Sequence, residues 1–190
     1  MDEKNITKKL KGLLGPSRFK HSLMVRDKVL HLSKFHKVNM KKASIAGLLH
    51  DVSRFMDRRG LLKFAEKIRL VIDPTSRAEP KLLHAPISAY IARTKFGIKD
   101  RQILKAISSH TLGRKNMTIL EKIVYVADHV EEGRSHAGVK NARRLAESDI
   151  DQAIVAISSS MIKYLLGNNL PIHRMAFEVR DYYLKKHEQK

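Results

Sequence analysis

The sequence contains no cysteine, and this absence removes several classes of site at once. The chain can form no disulfide, no thiolate metal site and no cysteine nucleophile. Any metal must therefore be bound by His, Asp or Glu, and these ligands suit iron, manganese, cobalt or zinc. Aromatic residues make up only 6% of the chain. Because no aromatic-glycine RNA motif is present, RNA binding would rest on charge alone.

Long apolar runs are also absent. No segment is long and apolar enough to span a bilayer, and the N-terminal segment lacks an apolar signal core, so we expect a cytoplasmic protein with no membrane partner. The 190 residues suffice for one domain with a hydrophobic core. Lys and Arg exceed Asp and Glu by 38 to 19, which gives a net charge of +19. Such a field attracts anions. Solvated lysine-rich faces, a nucleotide substrate and an RNA surface are all compatible with it.

The hydrophobic periodicity is helical almost throughout, with no alternating strand pattern of useful length. Helices are predicted at residues 17–36, 39–50, 61–70, 86–96, 98–110, 118–129, 139–147, 149–166 and 172–187. Loops are predicted at 73–80 and 131–138. We therefore predict an all-α helical bundle that forms a single domain over residues 1–190. Its core lies at about 15–148, and the C-terminal helices at about 149–188 complete the site or form an interface.

Three polar side chains fall on the apolar faces of predicted helices. His21 and His50 lie on such stripes, and Asp128 follows Leu120 and Val124 at helical spacing. A lone buried carboxylate is costly unless a cation or metal accompanies it, whereas a single core histidine usually needs only one carbonyl partner. Helical bundles build metal sites from side chains that several helices direct inward. The combination therefore predicts a metal site.

The pair His50-Asp51 ends one of these helices. Side chains of neighbouring helical residues diverge by about 100°. The two residues can share a metal only if it lies between these directions, near the helix end. We interpret His50 as a plain ligand and Asp51 as a residue placed between the metal and a water molecule.

The order and spacing of these residues resemble the H…HD…D signature of the HD-domain metal-dependent phosphohydrolases, which are all-helical. The more specific resemblance is to the bacterial YqeK family, the HD-type symmetrical diadenosine tetraphosphatases, over roughly residues 15–190. The segments that carry it are RFKH at 18–21, AGLLHD at 46–51, HAPISAY at 84–90, AISSHT at 106–111 and NMTILEKI at 116–123, followed by Ala127-Asp128 and Arg134.

The resemblance implies a hydrolase acting on acid anhydrides that cleaves diadenosine tetraphosphate into two ADP molecules. It implies a homodimer and an iron site, with manganese, cobalt or nickel as alternatives. The implied metal ligands are His21, His50, Asp51 and Asp128. The implied catalytic residues are Asp51, His84, His110 and Arg134. The implied substrate-binding residues are Arg18, Ser53, Arg54, His84, Ser109, His110 and Arg134.

Simpler interpretations of three of these residues stay open at this point. His84 precedes a predicted helix start, where anions bind, but it also fits an exposed cap. His110 ends a helix and can complement the helix dipole. Arg134 can simply pair with Glu131. The remaining histidines are predicted to be structural or solvent-exposed: His31, His36, His129, His136, His173 and His187.

The chemistry expected is displacement at phosphorus. A metal lowers the pKa of bound water and neutralises phosphate oxygens in the transition state, and attack on an inner phosphate gives the symmetrical products. Two alternatives are another HD-type activity, such as a nucleotidase or cyclic-nucleotide phosphodiesterase, and a non-catalytic basic RNA-binding protein. The tetraphosphatase interpretation takes a dinucleoside polyphosphate or nucleotide as partner and requires no nucleic acid.

Overall fold

The computed structural model describes residues 2–188, which form eleven α-helices and one 3₁₀ helix and contain no strand. The α-helices are α1 Glu3–Leu13, α2 Pro16–Phe35, α3 Met40–Leu49, α4 Arg58–Lys67, α5 Pro74–Ala78, α6 His84–Lys95, α7 Arg101–Ser109, α8 Ile119–Val130, α9 Val139–Ser148, α10 Ile150–Gly167 and α11 Arg174–Glu188, and the 3₁₀ helix is Pro80–Leu83. The all-α prediction is confirmed. None of the helices in this part of the chain could cross a membrane.

Two helices were not predicted, because both are too short or too polar to show a periodic apolar pattern. Helix α1 buries only Ile6 and Leu10. Helix α5 has five residues and lies in a segment predicted to be a loop. Asp73 caps α5 by accepting a hydrogen bond from the Ser76 amide at 3.0 Å. The loop prediction for residues 73–80 is therefore wrong.

The predicted start of α6 is also corrected. The helix begins at His84 and not at Pro86, because the 3₁₀ helix that ends at Leu83 leads directly into it. The other end of the helix agrees with the prediction. The helix ends at Lys95, two residues before Gly97, whose φ of +67° favours glycine. The shift moves the His84 side chain from a preceding loop into the first turn of the helix.

Helices α2 and α3 pack closely because α3 carries a glycine at the contact. A Cβ at Gly47 would lie 2.9 Å from the Cα of Arg26 in α2. The seven residues from Ala43 to Leu49 are all buried. Small and aliphatic side chains thus bring the backbone of α3 against α2 and fix where its C-terminal residues project.

Helices α10 and α11 cover one side of α8. Val179 of α11 lies 3.3 Å from the position that a Cβ on Gly113 would occupy. The Tyr183 hydroxyl accepts a hydrogen bond from the Met117 amide at 2.8 Å. These contacts place the C-terminal helices beside the segment that follows α7, next to the candidate site.

Candidate metal centre

Several helices direct polar side chains into one buried group, which we call the His-Asp cluster. One residue comes from the face of α2, two from the end of α3 and the turn after it, one each from the start of α6 and the end of α7, and one from α8. The members are His21, His50, Asp51, His84, His110 and Asp128. All six were named from the sequence.

Asp51 stands at the centre of the cluster. Its Oδ1 atom lies 3.1 Å from His84 Nε2 and 3.7 Å from His110 Nε2. Its Oδ2 atom lies 3.8 Å from His21 Nε2 and 3.7 Å from His50 Nε2. The two oxygens therefore face two different histidine pairs. The sequence analysis interprets Asp51 as lying between a metal and a water molecule, and its Oδ1 atom, which faces away from His21 and His50, is directed at His84 and His110.

Three of the imidazoles are oriented in the same way. His50, His84 and His110 each donate Nδ1–H to the carbonyl three residues earlier in the chain, at 2.7, 2.5 and 2.7 Å. A neutral imidazole that donates from Nδ1 carries its lone pair on Nε2. Each of these three lone pairs is thus directed into the cluster, as a metal ligand requires.

The Nε2 atoms of these histidines lie so close to one another that a cation is needed between them. The His21 and His50 Nε2 atoms are 3.2 Å apart, and those of His84 and His110 are 2.9 Å apart. Facing lone pairs at such distances repel unless a proton or metal lies between them. The Thr111 hydroxyl, which the sequence analysis missed, lies 3.0 Å from His84 Nε2. These residues fit a bound metal, with nitrogen and oxygen ligands of the kind that transition metals take.

The side-chain pKa values agree with this arrangement. Burial lowers the pKa of His50 to about 4 and also lowers the pKa of His84, so both imidazoles are neutral near pH 7, the state that metal binding requires. Burial alone would lower the pKa of His110, but the nearby Asp51 carboxylate outweighs burial and raises it. For Asp51, burial acts to raise the pKa, and the neighbouring histidines outweigh it and hold the pKa well below the usual range.

Glu131 supports the cluster from behind and was not identified as a site residue. His21 Nε2 lies 3.1 Å from Asp128 Oδ1, and its Nδ1 lies 3.3 Å from Glu131 Oε1. Glu131 is buried and also accepts a hydrogen bond from the Gly133 amide at 2.5 Å. A carboxylate behind a ligating histidine fixes its tautomer and orientation. The available signal was position, three residues after Asp128 at the end of α8.

Arg134 and Arg18 flank the cluster and reach solvent. Arg134 donates to Asp128 Oδ1 at 2.6 Å and lies 3.4 Å from Glu131 Oε1, so the simple pairing with Glu131 is present alongside a contact to the cluster. Arg18 donates to Asp51 Oδ2 at 2.9 Å. The two side chains are 38% and 40% exposed. Arg54 joins Arg18 in lining a cavity of about 250 Å³.

The two serines predicted to bind substrate are buried. The Ser53 hydroxyl donates to the His84 carbonyl at 2.9 Å, and thereby supports the backbone at the start of α6. The Ser109 hydroxyl donates to the Lys105 carbonyl at 2.8 Å. Ser109 also lines a cavity of about 330 Å³ beside Thr111. Ser109 therefore lies next to a cavity, whereas the Ser53 hydroxyl is committed to the backbone of α6.

Comparison with known proteins adds a family to this geometry. The HD domain family profile matches residues 18–133. The chain is similar to proteins named symmetrical bis(5′-nucleosyl)-tetraphosphatase. That of Bacillus subtilis is 33% identical, with 86% of this chain and 87% of that protein covered. That of Halalkalibacterium halodurans is 34% identical, with the same 86% and 87% covered. That of Staphylococcus aureus is 30% identical, with 91% and 90% covered.

A solved structure is also similar over nearly the whole chain. It is the crystal structure of a predicted HD superfamily hydrolase involved in NAD metabolism from Clostridium acetobutylicum. Its TM-score is 0.94 at 32% sequence identity, with 98% of each chain covered. The helical arrangement described above is therefore the one found in that crystal structure.

Proposed function

The chain belongs to the HD domain family and groups with the symmetrical bis(5′-nucleosyl)-tetraphosphatases, and from this premise we propose that it is a metal-dependent hydrolase that cuts diadenosine tetraphosphate into two ADP molecules. The observation that carries the proposal is the position of Asp51 between two histidine pairs. A carboxylate between histidines that can hold a metal is suited to the hydrolysis of a highly charged phosphate chain.

We propose that His21, His50, Asp51 and Asp128 hold a divalent metal. A metal at this position supplies Lewis-acid chemistry, because it lowers the pKa of water and neutralises charge on phosphate oxygens. His84 and His110, which face the other oxygen of Asp51, would serve the phosphates or a further metal. The donor set supports a transition metal but does not choose among them. We propose iron, with manganese, cobalt or nickel as alternatives.

The protein residues divide the remaining work. Arg18 and Arg134 reach solvent on either side of the cluster, and we assign them to the phosphate oxygens, with Arg54 beside Arg18. Asp51 orients the attacking water by accepting its hydrogen bond. The water forms a new bond to one of the two inner phosphorus atoms and loses a proton, which passes to bulk solvent. The bond from that phosphorus to the central bridging oxygen breaks.

The group that departs is ADP, and the phosphorylated remainder is a second ADP. Arg134, with His84 and His110, would stabilise the charge that develops on the departing oxygen. Ser109 lies beside the 330 Å³ cavity next to Thr111 and would contact the nucleotide. We assign Ser53 to an indirect role, because its hydroxyl is committed to the His84 carbonyl.

We further propose that the chain works as one HD-type domain and as a homodimer. The contact of α11 with the segment after α7 supports the first part, because Val179 packs at Gly113. Leu170, which follows α10, and Leu184 of α11 expose 44% and 40% of their surface, as expected of side chains that an interface would cover. Sedimentation velocity tests the dimer. The cytoplasmic location expected from the sequence stays a prediction.

The central experiment compares His50→Ala with His31→Ala. Both remove an imidazole, but His31 is paired with Glu147 on the surface. We would purify each protein without added metal, measure its metal content, and separate the products of diadenosine tetraphosphate by chromatography. We expect His50→Ala to lose metal and activity, and His31→Ala to keep both. A folded His50→Ala protein with unchanged metal content and turnover would contradict the proposal.

The products distinguish the proposed reaction from its alternatives. Two ADP molecules support symmetrical cleavage, whereas AMP and ATP would mean attack on an outer phosphate. Turnover of only mononucleotides or cyclic nucleotides would assign the same cluster to another HD-type activity. A steep fall of RNA affinity with salt, without hydrolysis of any nucleotide, would favour the RNA-binding alternative.

A further inference from the structure

A symmetrically cleaved dinucleotide has a nucleoside at each end, and both ends must lie somewhere when the cut is made in the middle. Resting on the proposed function, we propose that a cavity between the end of α8 and one face of α10 binds the second nucleoside. We call it the α10 cavity. Among the residues that line it are His129, His136, Ile157, Met161 and Tyr164.

The α10 cavity has the size and character of a nucleoside site. Its volume is about 540 Å³, within the range of about 300–1,000 Å³ typical of small-molecule sites. Ile157, Met161 and Tyr164 are spaced four and three residues apart on α10, so they share one face. Tyr164 is 63% exposed. An exposed aromatic ring beside apolar side chains offers a base a surface for stacking.

The His-Asp cluster and the α10 cavity each contain one of two consecutive residues of α8. Asp128 belongs to the cluster and His129 lines the cavity. The His129 ring packs 4.9 Å from the Tyr125 ring, and its Nδ1 donates to the Tyr125 carbonyl at 2.9 Å. This contact fixes the imidazole at the α10 cavity. His129, predicted from sequence to be structural or exposed, thus lines a cavity one position after a member of the cluster.

The loop that carries Arg134 connects the cluster with the α10 cavity. Arg134 donates to Asp128 Oδ1 at 2.6 Å. Two residues later, His136 Nε2 lies 3.0 Å from the His129 carbonyl, which holds the loop against the end of α8. Ser160 of α10 donates to the Ala137 carbonyl at 3.3 Å. The same loop therefore contacts the cluster through Arg134 and lines the α10 cavity through His136.

A second cavity, lined by Ser109 and Thr111, also supports a nucleoside in the α10 cavity. The cavity of about 330 Å³ is lined by Thr111, which contacts His84 and His110, whereas the α10 cavity is lined by His129, the residue after Asp128. The two cavities thus have no lining residue in common, and each is lined by a residue next to a member of the cluster. A substrate cut at its central bridge needs one nucleoside site on each side of the cut, and this pair of cavities supplies them.

The test compares two ligands that differ by one nucleoside. Diadenosine tetraphosphate has two, and adenosine 5′-tetraphosphate has one. We would measure KM for the first, KM or the inhibition constant for the second, and the affinities of both for metal-free protein by calorimetry. The variants are Tyr164→Ala, Tyr164→Phe and Leu166→Ala. Leu166 is equally exposed, at 61%, on the same helix, but its side chain is not among those lining the cavity.

We expect Tyr164→Ala to weaken binding of diadenosine tetraphosphate about tenfold, as loss of base stacking does, and to leave adenosine 5′-tetraphosphate unaffected. Tyr164→Phe and Leu166→Ala should keep the wild-type ratio between the two ligands. Equal affinity of the wild type for both ligands, or an equal change in both on Tyr164→Ala, would overturn the proposal. So would dissociation of a dimer by Tyr164→Ala, because a second copy would then occupy the cavity.

The proposed function and the α10 cavity fail in different ways. If the wild type forms no ADP from diadenosine tetraphosphate, the proposed function fails, and the binding comparison still decides whether a second nucleoside is held. If the wild type forms two ADP molecules but Tyr164→Ala leaves the ratio of affinities unchanged, only the α10 cavity is rejected.

Discussion

Replacing Glu131 with glutamine should weaken metal binding without touching a metal ligand. Glu131 uses one carboxylate oxygen for His21 Nδ1 at 3.3 Å and the other for the Gly133 amide at 2.5 Å. Glutamine has only one acceptor oxygen, so either His21 or the Gly133 amide must lose its acceptor. In either case the imidazole of His21 is held less firmly and loses the negative charge behind it.

The size of the effect follows from the burial of this carboxylate. Its side chain is 5% exposed, so water screens the lost charge little. Removing the outer partner of a ligating histidine typically costs 10–100-fold in metal affinity or activity, which corresponds to about 1.4–2.8 kcal/mol. We therefore expect the metal dissociation constant of Glu131→Gln to rise by at least about tenfold.

The neighbouring residue provides a matched control. Glu132 is 70% exposed and pairs with Lys28 on the surface, so Glu132→Gln removes the same charge one position along the chain. We would titrate Mn²⁺ into metal-free wild type and both variants by calorimetry, with turnover as a second readout. If Glu131→Gln binds Mn²⁺ as tightly as Glu132→Gln does, Glu131 does not position His21 and the reasoning is refuted.

Three further outcomes are expected. Gly47→Ala should destabilise the fold by about 1–3 kcal/mol in urea unfolding, because the new Cβ would lie 2.9 Å from the Cα of Arg26. Gly12→Ala should instead stabilise α1 by about 0.5–1 kcal/mol, because a Cβ there meets nothing within 4 Å. Equal effects of the two substitutions would contradict the packing argument. Glu121→Gln should cost about 3 kcal/mol. Burial acts to raise the pKa of Glu121, but the hydrogen bond from Arg114 outweighs it and holds the pKa below its usual 4.5. This stabilisation is therefore fully present above the unfolded-state pKa and should be lost as the pH falls through the lower pKa of the folded protein; a difference between the two proteins that persists in acid would refute it. Chelation should lower the Tm and added metal should restore it, as a calorimetric scan would show.

Much of the helical architecture was predictable because apolar residues recur at helical spacing along the sequence. The predicted helices at 118–129, 139–147 and 149–166 agree with α8, α9 and α10 to within about two residues. Helices α1 and α5 were not predicted, since two buried side chains in α1 and five residues in α5 leave too short a pattern. Their stability comes from packing and from caps such as Asp73, which a periodicity argument does not register.

The candidate site divides in the same way. The sequence by itself determined which residues face inward, because helical spacing fixes the face on which a side chain lies; His21, His50 and Asp128 followed from that rule. Only the tertiary structure decided how they meet. The close approach of α2 and α3 at Gly47, the two-sided placement of Asp51 and the buried contact of Glu131 with His21 depend on distances between helices. Those distances are set by the packing of side chains far apart in the chain, and no local pattern records them.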